Sequence, residues 1–146
     1  MLQLTGEEQF SHPQDTIWDR LIDPEFLART IPDLHSVEEI QPDRLVCKVR
    51  PGFSFIKGTL KITINIFAEQ PPESARMRIE SKGIGSSAVV ETVVELSTLD
   101  AGTRLAWSAE VKELGGLLKP VGRTLIGAAA KKVITDGWAG FRNELD

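Results

Sequence analysis

Apolar and polar residues alternate in the middle of the chain, which is the pattern of β-strands with one covered face. The clearest strand is predicted at residues 56–67, where Ile62 and Ile64 share one face while Lys61 and Thr63 share the other. Three further segments alternate in the same way: residues 75–83, 90–96 and 103–111. Because short turns join these segments, the pattern predicts an antiparallel meander with one solvated and one covered face.

Shorter elements are predicted before this meander. Residues 2–10 alternate weakly and are expected to form a first strand. Apolar side chains then recur at helical spacing over residues 13–22, and Asp23-Pro24 ends this helix and starts a second short one. Two more strands are expected before the meander: residues 34–40 and 44–50.

The last third of the chain predicts one long helix, residues 117–145, which would span roughly 40 Å at about 1.5 Å per residue. Its apolar positions recur mostly every four residues: Leu118, Val121, Leu125, Ala129 or Ala128, Val133, Trp138, Phe141 and Leu145. No other helix of that length is predicted, so this helix is expected to lie across the sheet. A sheet that curls around one helix leaves a hollow, and we predict that this hollow is the functional site.

The predicted order is one strand, two short helices, six strands and one long helix. It indicates an α+β fold in which a curved antiparallel sheet of about seven strands wraps around a long C-terminal helix. At 146 residues, with 41% apolar and 26% charged residues, the chain is expected to form a single globular domain over residues 1–146.

Charge and cysteine content narrow the class of protein. A net charge of -4 and a pI near 5.3 argue against a nucleic-acid binder, which needs a basic surface. Cys47 is the single cysteine, which rules out an internal disulfide and fits a reducing compartment. The chain shows neither a signal peptide nor an apolar run near the roughly 20 residues of a membrane span. We therefore expect a soluble cytoplasmic protein.

The sequence offers no convincing catalytic or metal-binding set. His12 and His35 stand alone, without the spaced carboxylates or cysteines that a metal site needs. Cys47 alternates with Leu45 and Val49, which favours a buried, inert thiol. The alternation directs the candidate carboxylates to the solvated face: Glu80, Glu91, Glu95 and Glu110. We therefore predict no catalytic residues, no metal and no cofactor.

The inward apolar side chains are the predicted lining of the hollow. They are Phe53, Phe55, Ile62, Ile64, Met77, Ile79, Trp107, Ala109, Leu118, Val121 and Leu125. The same residues would form an ordinary filled core if they packed against one another, and the sequence leaves both interpretations open.

Two surface features suggest a partner. Phe53 and Phe55 follow a Pro-Gly turn, where they could gate the hollow or touch a bilayer or a protein, or simply pack inward. The first half of the long helix carries only positive charges, which favour an anionic membrane surface but also suit a solvated back face. These charges are Lys119, Arg123, Lys131 and Lys132.

The order of elements resembles the START-like (SRPBCC) helix-grip superfamily. The opening residues Gly6, Phe10, Pro13, Ile17-Trp18, Leu21, Asp23-Pro24, Leu27 and Ile31-Pro32 are similar to the start of the CoxG family of carbon monoxide dehydrogenase proteins. Ile56-Lys57-Gly58, Thr103-Arg104-Leu105 with Trp107, and Gly115-Gly116-Leu117 resemble its central strand, last strand and helix entry. The resemblance covers nearly the whole chain.

The resemblance implies a non-enzymatic accessory protein of carbon monoxide dehydrogenase or a related redox enzyme. It also implies a cavity for a small hydrophobic ligand, similar to a lipid or a quinone, and a place at the inner face of the membrane. One alternative is a polyketide cyclase- or dehydratase-like enzyme that uses the same cavity. Another is a protein-interaction module, such as a chaperone activator of the same fold, because fold alone does not decide function.

Overall fold

The computed structural model describes residues 2–52 and 58–146. Its elements in chain order are β1 (Gln3–Phe10), α1 (Gln14–Leu21), α2 (Pro24–Thr30), β2 (Leu34–Gln41), β3 (Arg44–Val49), β4 (Leu60–Gln70), β5 (Ser74–Gly83), β6 (Ser86–Leu99), β7 (Gly102–Gly116) and α3 (Arg123–Leu145). The predicted order of strands and helices is confirmed.

The strands form one seven-stranded sheet in the order β1-β7-β6-β5-β4-β3-β2. Every neighbouring pair is antiparallel, and β2 to β7 form a meander of consecutive strands. The first strand closes this arrangement by pairing with the last, with Gly6 of β1 opposite Trp107 of β7. The predicted α+β class, with a curved antiparallel sheet and a long C-terminal helix, is confirmed.

One face of the sheet, called the inner face below, carries the three helices. Leu45, Ile64 and Leu105 on this face are buried and belong to one core with Phe26 of α2 and Phe141 of α3. Burying such side chains contributes about 1.5–3 kcal/mol each to the free energy of folding. The opposite, outer face carries charged side chains, as the alternation predicts.

The fourth strand differs from its predicted boundaries of 56–67. It begins at Leu60 and continues to Gln70, while Ile56 and Lys57 lie outside the described residues. Gly58 has a φ of 112°, a left-handed conformation that glycine adopts easily and that a regular strand does not contain.

The long helix begins later than predicted. Arg123 is its first residue, and the 23 residues of α3 span about 35 Å. Residues 117–121 form tight turns instead, in which the amides of Leu118 and Val121 donate to carbonyl oxygens three residues earlier, at 3.3 and 3.1 Å. Pro120 has no amide hydrogen to donate, and Gly122 is extended with a ψ of 149°, so helical hydrogen bonding starts only after it.

Two bulges in the edge strand β2 bring residues with a spacing of three onto one face. Shifts in pairing occur between Leu34 and Ser36 and between Val37 and Glu39. As a result Leu34, Val37 and Ile40 lie opposite residues of β3 that point to the inner face. Their side chains remain 38–46% exposed, so the inner face is incompletely covered at this edge.

Candidate functional site

The interior between α3 and the inner face has one closely packed end. Phe141 of α3 contacts Phe10, Phe26 and Trp138, with ring centroids 5.6, 5.3 and 5.5 Å apart. Edge-to-face contacts of this kind add stability beyond the buried area. Trp18 of α1 is buried in the same cluster. This end of the interior is therefore a filled core.

The middle of the inner face is less tightly covered. Ile62, Ile79 and Trp107 lie on three different strands, point to the inner face and are only half-buried. They pack against the buried core and still reach solvent, so this part of the inner face is incompletely covered, whereas protein interiors are normally close-packed. This part of the inner face is the candidate functional site.

The predicted lining residues fall into several groups. Ile64, Met77 and Ala109 are on the inner face but fully buried, with 8%, 8% and 4% exposure. Leu118 is buried in the turns before α3, and Val121 is half-buried there. The proposed gate residues Phe53 and Phe55 lie outside the described residues.

The apolar stripe predicted for the long helix is wrong in its first half. Leu125 and Val133 are 47% and 48% exposed, whereas Ile126 is buried at 8%. The reason is the late start of α3: the turns at residues 117–121 break the spacing that the prediction carried forward from Leu118. In the second half the prediction is closer, since Phe141 is buried and Trp138 half-buried.

The contact between Gly6 and Trp107 is a feature that the sequence reasoning missed. An added Cβ on Gly6 would lie 2.4 Å from Cζ2 of the Trp107 indole. The indole therefore rests on the backbone of β1, in space that any side chain would fill. The signal in the sequence was a glycine in an alternating strand, which often marks a close approach.

The carboxylates of the central strands lie on the outer face, as predicted. Arg78 pairs with Glu80 at 3.0 Å and with Glu91 at 3.9 Å, and Lys112 pairs with Glu91 and Glu110 at 3.6 and 3.3 Å. These half-exposed pairs each contribute about 0–1 kcal/mol to stability. None of these carboxylates faces the candidate site, so the enzymatic alternative receives no support from them.

One ion pair is found where β1 meets the end of α3. Arg142 donates to the Glu8 carboxylate at 2.9 Å and to the Gln9 carbonyl oxygen at 2.8 Å. Its guanidinium also lies 4.4 Å from the centroid of the Phe10 ring. These contacts fasten the C-terminal end of α3 to the first strand.

Cys47 and His12 are the other candidate reactive groups. Burial raises the pKa of the Cys47 thiol to about 11, so this thiol is protonated and inert at neutral pH. His12 lies 3.7 Å from the Asp146 carboxylate. Among the described residues, no cluster of histidine, cysteine and carboxylate side chains has the arrangement of a metal site.

A polar groove of about 660 Å³ lies elsewhere, beside the loop between β4 and β5. Gln14, Arg76, Glu95 and Thr98 are among its lining residues, and none of the predicted lining residues contributes to it. The groove is therefore distinct from the candidate site.

The fold and the apolar interior define a class of protein: the START-like helix-grip proteins, in which a curved antiparallel sheet holds a long C-terminal helix. Residues 6–146 match the family model of CoxG, which is described as a subunit of carbon monoxide dehydrogenase. The chain belongs to this CoxG family. A comparison with curated proteins found no match.

Several solved structures share this fold. A conserved protein from Geobacillus kaustophilus is similar with a TM-score of 0.87 and 24% identity, over 98% of this chain and 94% of that one. Proteins from Arthrobacter aurescens and Rhizobium leguminosarum give TM-scores of 0.72 and 0.71, at 12% and 13% identity. They cover 99% of this chain each, and 86% and 93% of their own chains. At these identities the likeness supports the fold alone.

Proposed function

We propose that this protein is a non-enzymatic carrier that holds a small hydrophobic ligand between α3 and the inner face. The observation that carries the proposal is the half-buried state of Ile62, Ile79 and Trp107, which lie on the inner face next to the packed core but are not fully covered. A ligand with an apolar body would bury the surface that these side chains leave open, at about 25 cal/mol per Å² of apolar area. We assign the other predicted lining residues to the same proposed binding site, and Leu125 lies at its exposed edge.

The CoxG family membership supports a more specific role. We infer that the chain assists carbon monoxide dehydrogenase or a related redox enzyme and that its ligand resembles a lipid or a quinone. A carrier of this kind has to reach both the enzyme and the bilayer in which such ligands dissolve. Within the described residues, no helix is long and apolar enough to cross a bilayer.

We further infer peripheral contact with the inner face of the membrane through the tip between β5 and β6. Ile84 is 41% exposed there and Leu117 is 66% exposed. The Leu117 amide donates to the Gly85 carbonyl oxygen at 2.9 Å, so both residues lie at this end of the sheet. Lys119 and Arg123 follow on the same stretch of chain and are also exposed. Exposed apolar side chains beside cationic ones suit an anionic bilayer surface.

Native mass spectrometry tests the carrier proposal. The protein is purified gently from cells, sprayed intact, and then stripped with organic solvent so that any released molecule is identified. We expect an adduct that leaves with solvent and has the mass of an apolar cell constituent. Because the protein could be purified without its ligand, the measurement is repeated after total membrane lipid has been added. A bare polypeptide in both samples would contradict the proposal.

A further inference from the structure

The first strand, β1, forms one edge of the sheet and pairs with β7 on one side only. In an antiparallel pair, residues that bond the neighbouring strand alternate with residues whose amide and carbonyl groups point away from it. The Val111 amide of β7 donates to the Leu2 carbonyl oxygen at 2.9 Å, directly before β1 begins. Counting on from Leu2, the even-numbered residues of β1 bond β7, and the odd-numbered residues direct their backbone groups to the open edge.

Gln9 supports this alternation independently. Its carbonyl oxygen accepts from the Arg142 guanidinium at 2.8 Å and so points away from β7. The other odd-numbered residues of β1 are Gln3, Thr5 and Glu7, and all three are exposed. Among the residues that the structure describes, their outward amide and carbonyl groups have no hydrogen-bond partner. The open edge therefore presents three residues that are ready to pair with another strand.

The two edges of the sheet differ in how they are protected against pairing. Native proteins commonly blunt an edge strand with bulges, prolines or charged side chains. The opposite edge strand, β2, contains two bulges, whereas β1 pairs in a regular register and contains no proline. The two carboxylates of β1 are neutralised within the chain, Glu7 by Arg104 at 2.7 Å and Glu8 by Arg142 at 2.9 Å. The edge at β1 thus lacks the usual protection.

We propose that β1 pairs antiparallel with β1 of a second copy of this chain, across a twofold axis at Thr5. Two sheets then join into one continuous sheet, and the same surface is used on both copies. In this register Thr5 lies opposite Thr5 of the second copy, and Gln3 lies opposite Glu7. Every open residue finds a partner, while the Gln9 carbonyl oxygen stays bonded to Arg142.

The side chains of β1 are compatible with this register. Leu4 lies opposite Gly6 of the second copy, where no side chain obstructs the close approach of two strands. No carboxylate lies opposite another carboxylate, an arrangement that would be destabilising. This pairing does not depend on the proposed ligand, because it uses only the backbone and side chains of β1.

Charge exchange at Thr5 tests the pairing and its register together. Thr5 is exposed on the outer face, so a single copy should tolerate a charge there. Across the axis, Thr5→Lys or Thr5→Glu places two like charges opposite each other, whereas an equimolar mixture places opposite charges there. Analytical ultracentrifugation of the full chain, at up to about 200 µM, measures the dimer dissociation constant.

We expect the wild-type chain to form a dimer in this range. Each charged variant alone should raise the dissociation constant by about three- to tenfold, and the mixture should recover the wild-type value. Thr5→Val is the matched control, because it keeps the shape of the side chain and adds no charge. It should leave the dissociation constant unchanged.

Thr5→Pro tests the backbone pairing itself. The Thr5 amide points to the open edge, so proline removes no bond to β7 and is tolerated on an edge strand. The dimer would lose one hydrogen bond from each copy, and its dissociation constant should rise at least about tenfold. Circular dichroism checks that this variant folds; if it does not, the Lys and Glu variants still decide. A monomeric wild-type chain, or a dimer that Thr5→Lys and Thr5→Glu leave equally tight, would overturn the pairing.

Discussion

At the scale of single residues, the close approach of Gly6 and Trp107 determines how the inner face is built. A tryptophan in the middle of an antiparallel sheet needs space on the neighbouring strand, and the glycine opposite provides it. The sequence predicted correctly that Trp107 points inward, because alternation along β7 decides the face. It did not predict the contact, because strand pairing between the first and last strands is a long-range feature.

Gly6→Ala should destabilise the fold. The new methyl group would overlap the indole of Trp107, and relieving an overlap of this size typically costs about 1–3 kcal/mol. The free energy of unfolding is measured by urea denaturation. The control is the same change made in Trp107→Phe, where the overlapping ring atoms are gone. An equal loss in both backgrounds would show that the contact is not the cause.

At the scale of elements, the strands followed their alternation, whereas the first half of the long helix did not follow its predicted apolar spacing. The meander was predictable because alternation repeats at every strand and short turns leave no choice of partner. The start of α3 was not, because the apolar residues before it continue a helical spacing through turns that Pro120 and Gly122 impose. The strand β2 was predicted at residues 34–40, but which of its residues face inward was not, because bulges give Leu34, Val37 and Ile40 a spacing of three that no regular strand has.

Replacing two glycines of α3 by alanine should change the unfolding free energy in opposite directions. A Cβ on Gly140 would lie 2.5 Å from the Thr30 carbonyl oxygen of α2, whereas one on Gly137 would meet no atom within 4 Å. Gly140→Ala should therefore lower the unfolding free energy by about 1–3 kcal/mol. Gly137→Ala should raise it by up to about 1 kcal/mol through helix propensity.

Thermal and urea denaturation of the two variants check this pair. Because both changes are the same substitution in the same helix, the comparison isolates the packing of α3 on α2. A similar effect on stability at both positions would mean that the C-terminal half of α3 is not packed closely against α2.

At the scale of the whole molecule, the two ends of the interior differ in a way that the sequence could not reveal. Phe141 and Ile79 both occupy apolar positions of regular elements, yet the first is buried among aromatic rings and the second is only half-buried. The difference depends on where α1 and α2 lie against the sheet, which is set by tertiary packing. A filled core and an open cavity are equally compatible with the composition and periodicity of the sequence.

The proposed membrane contact also belongs to the whole molecule. A variant with Ile84→Asn and Leu117→Ser should lose at least about fivefold in binding to phosphatidylglycerol vesicles, because two apolar side chains no longer enter the bilayer. The φ of 54° at Ile84 suits asparagine, so this change should not disturb the turn. Vesicle co-sedimentation measures the binding.

Leu99→Ser is the matched control for this surface. Leu99 is also 41% exposed but lies at the other end of β6, away from the tip that holds Ile84. Its replacement should leave vesicle binding unchanged. Equal losses from both variants, or no binding by the wild-type protein at low salt, would contradict the proposed membrane contact.

The central claim is that apolar space remains between α3 and the middle of the inner face, and a filling substitution tests it most directly. Ile79→Trp is compared with Leu105→Trp, whose site is fully buried in the packed core. The stability of each variant and its affinity for an apolar naphthalene dye are measured together. We predict that Ile79→Trp changes the unfolding free energy by less than about 1 kcal/mol and lowers the affinity for the dye at least about tenfold. Leu105→Trp should cost about 1–3 kcal/mol or more. If Ile79→Trp destabilises the protein as much as Leu105→Trp does, the interior is packed solid and the account is wrong.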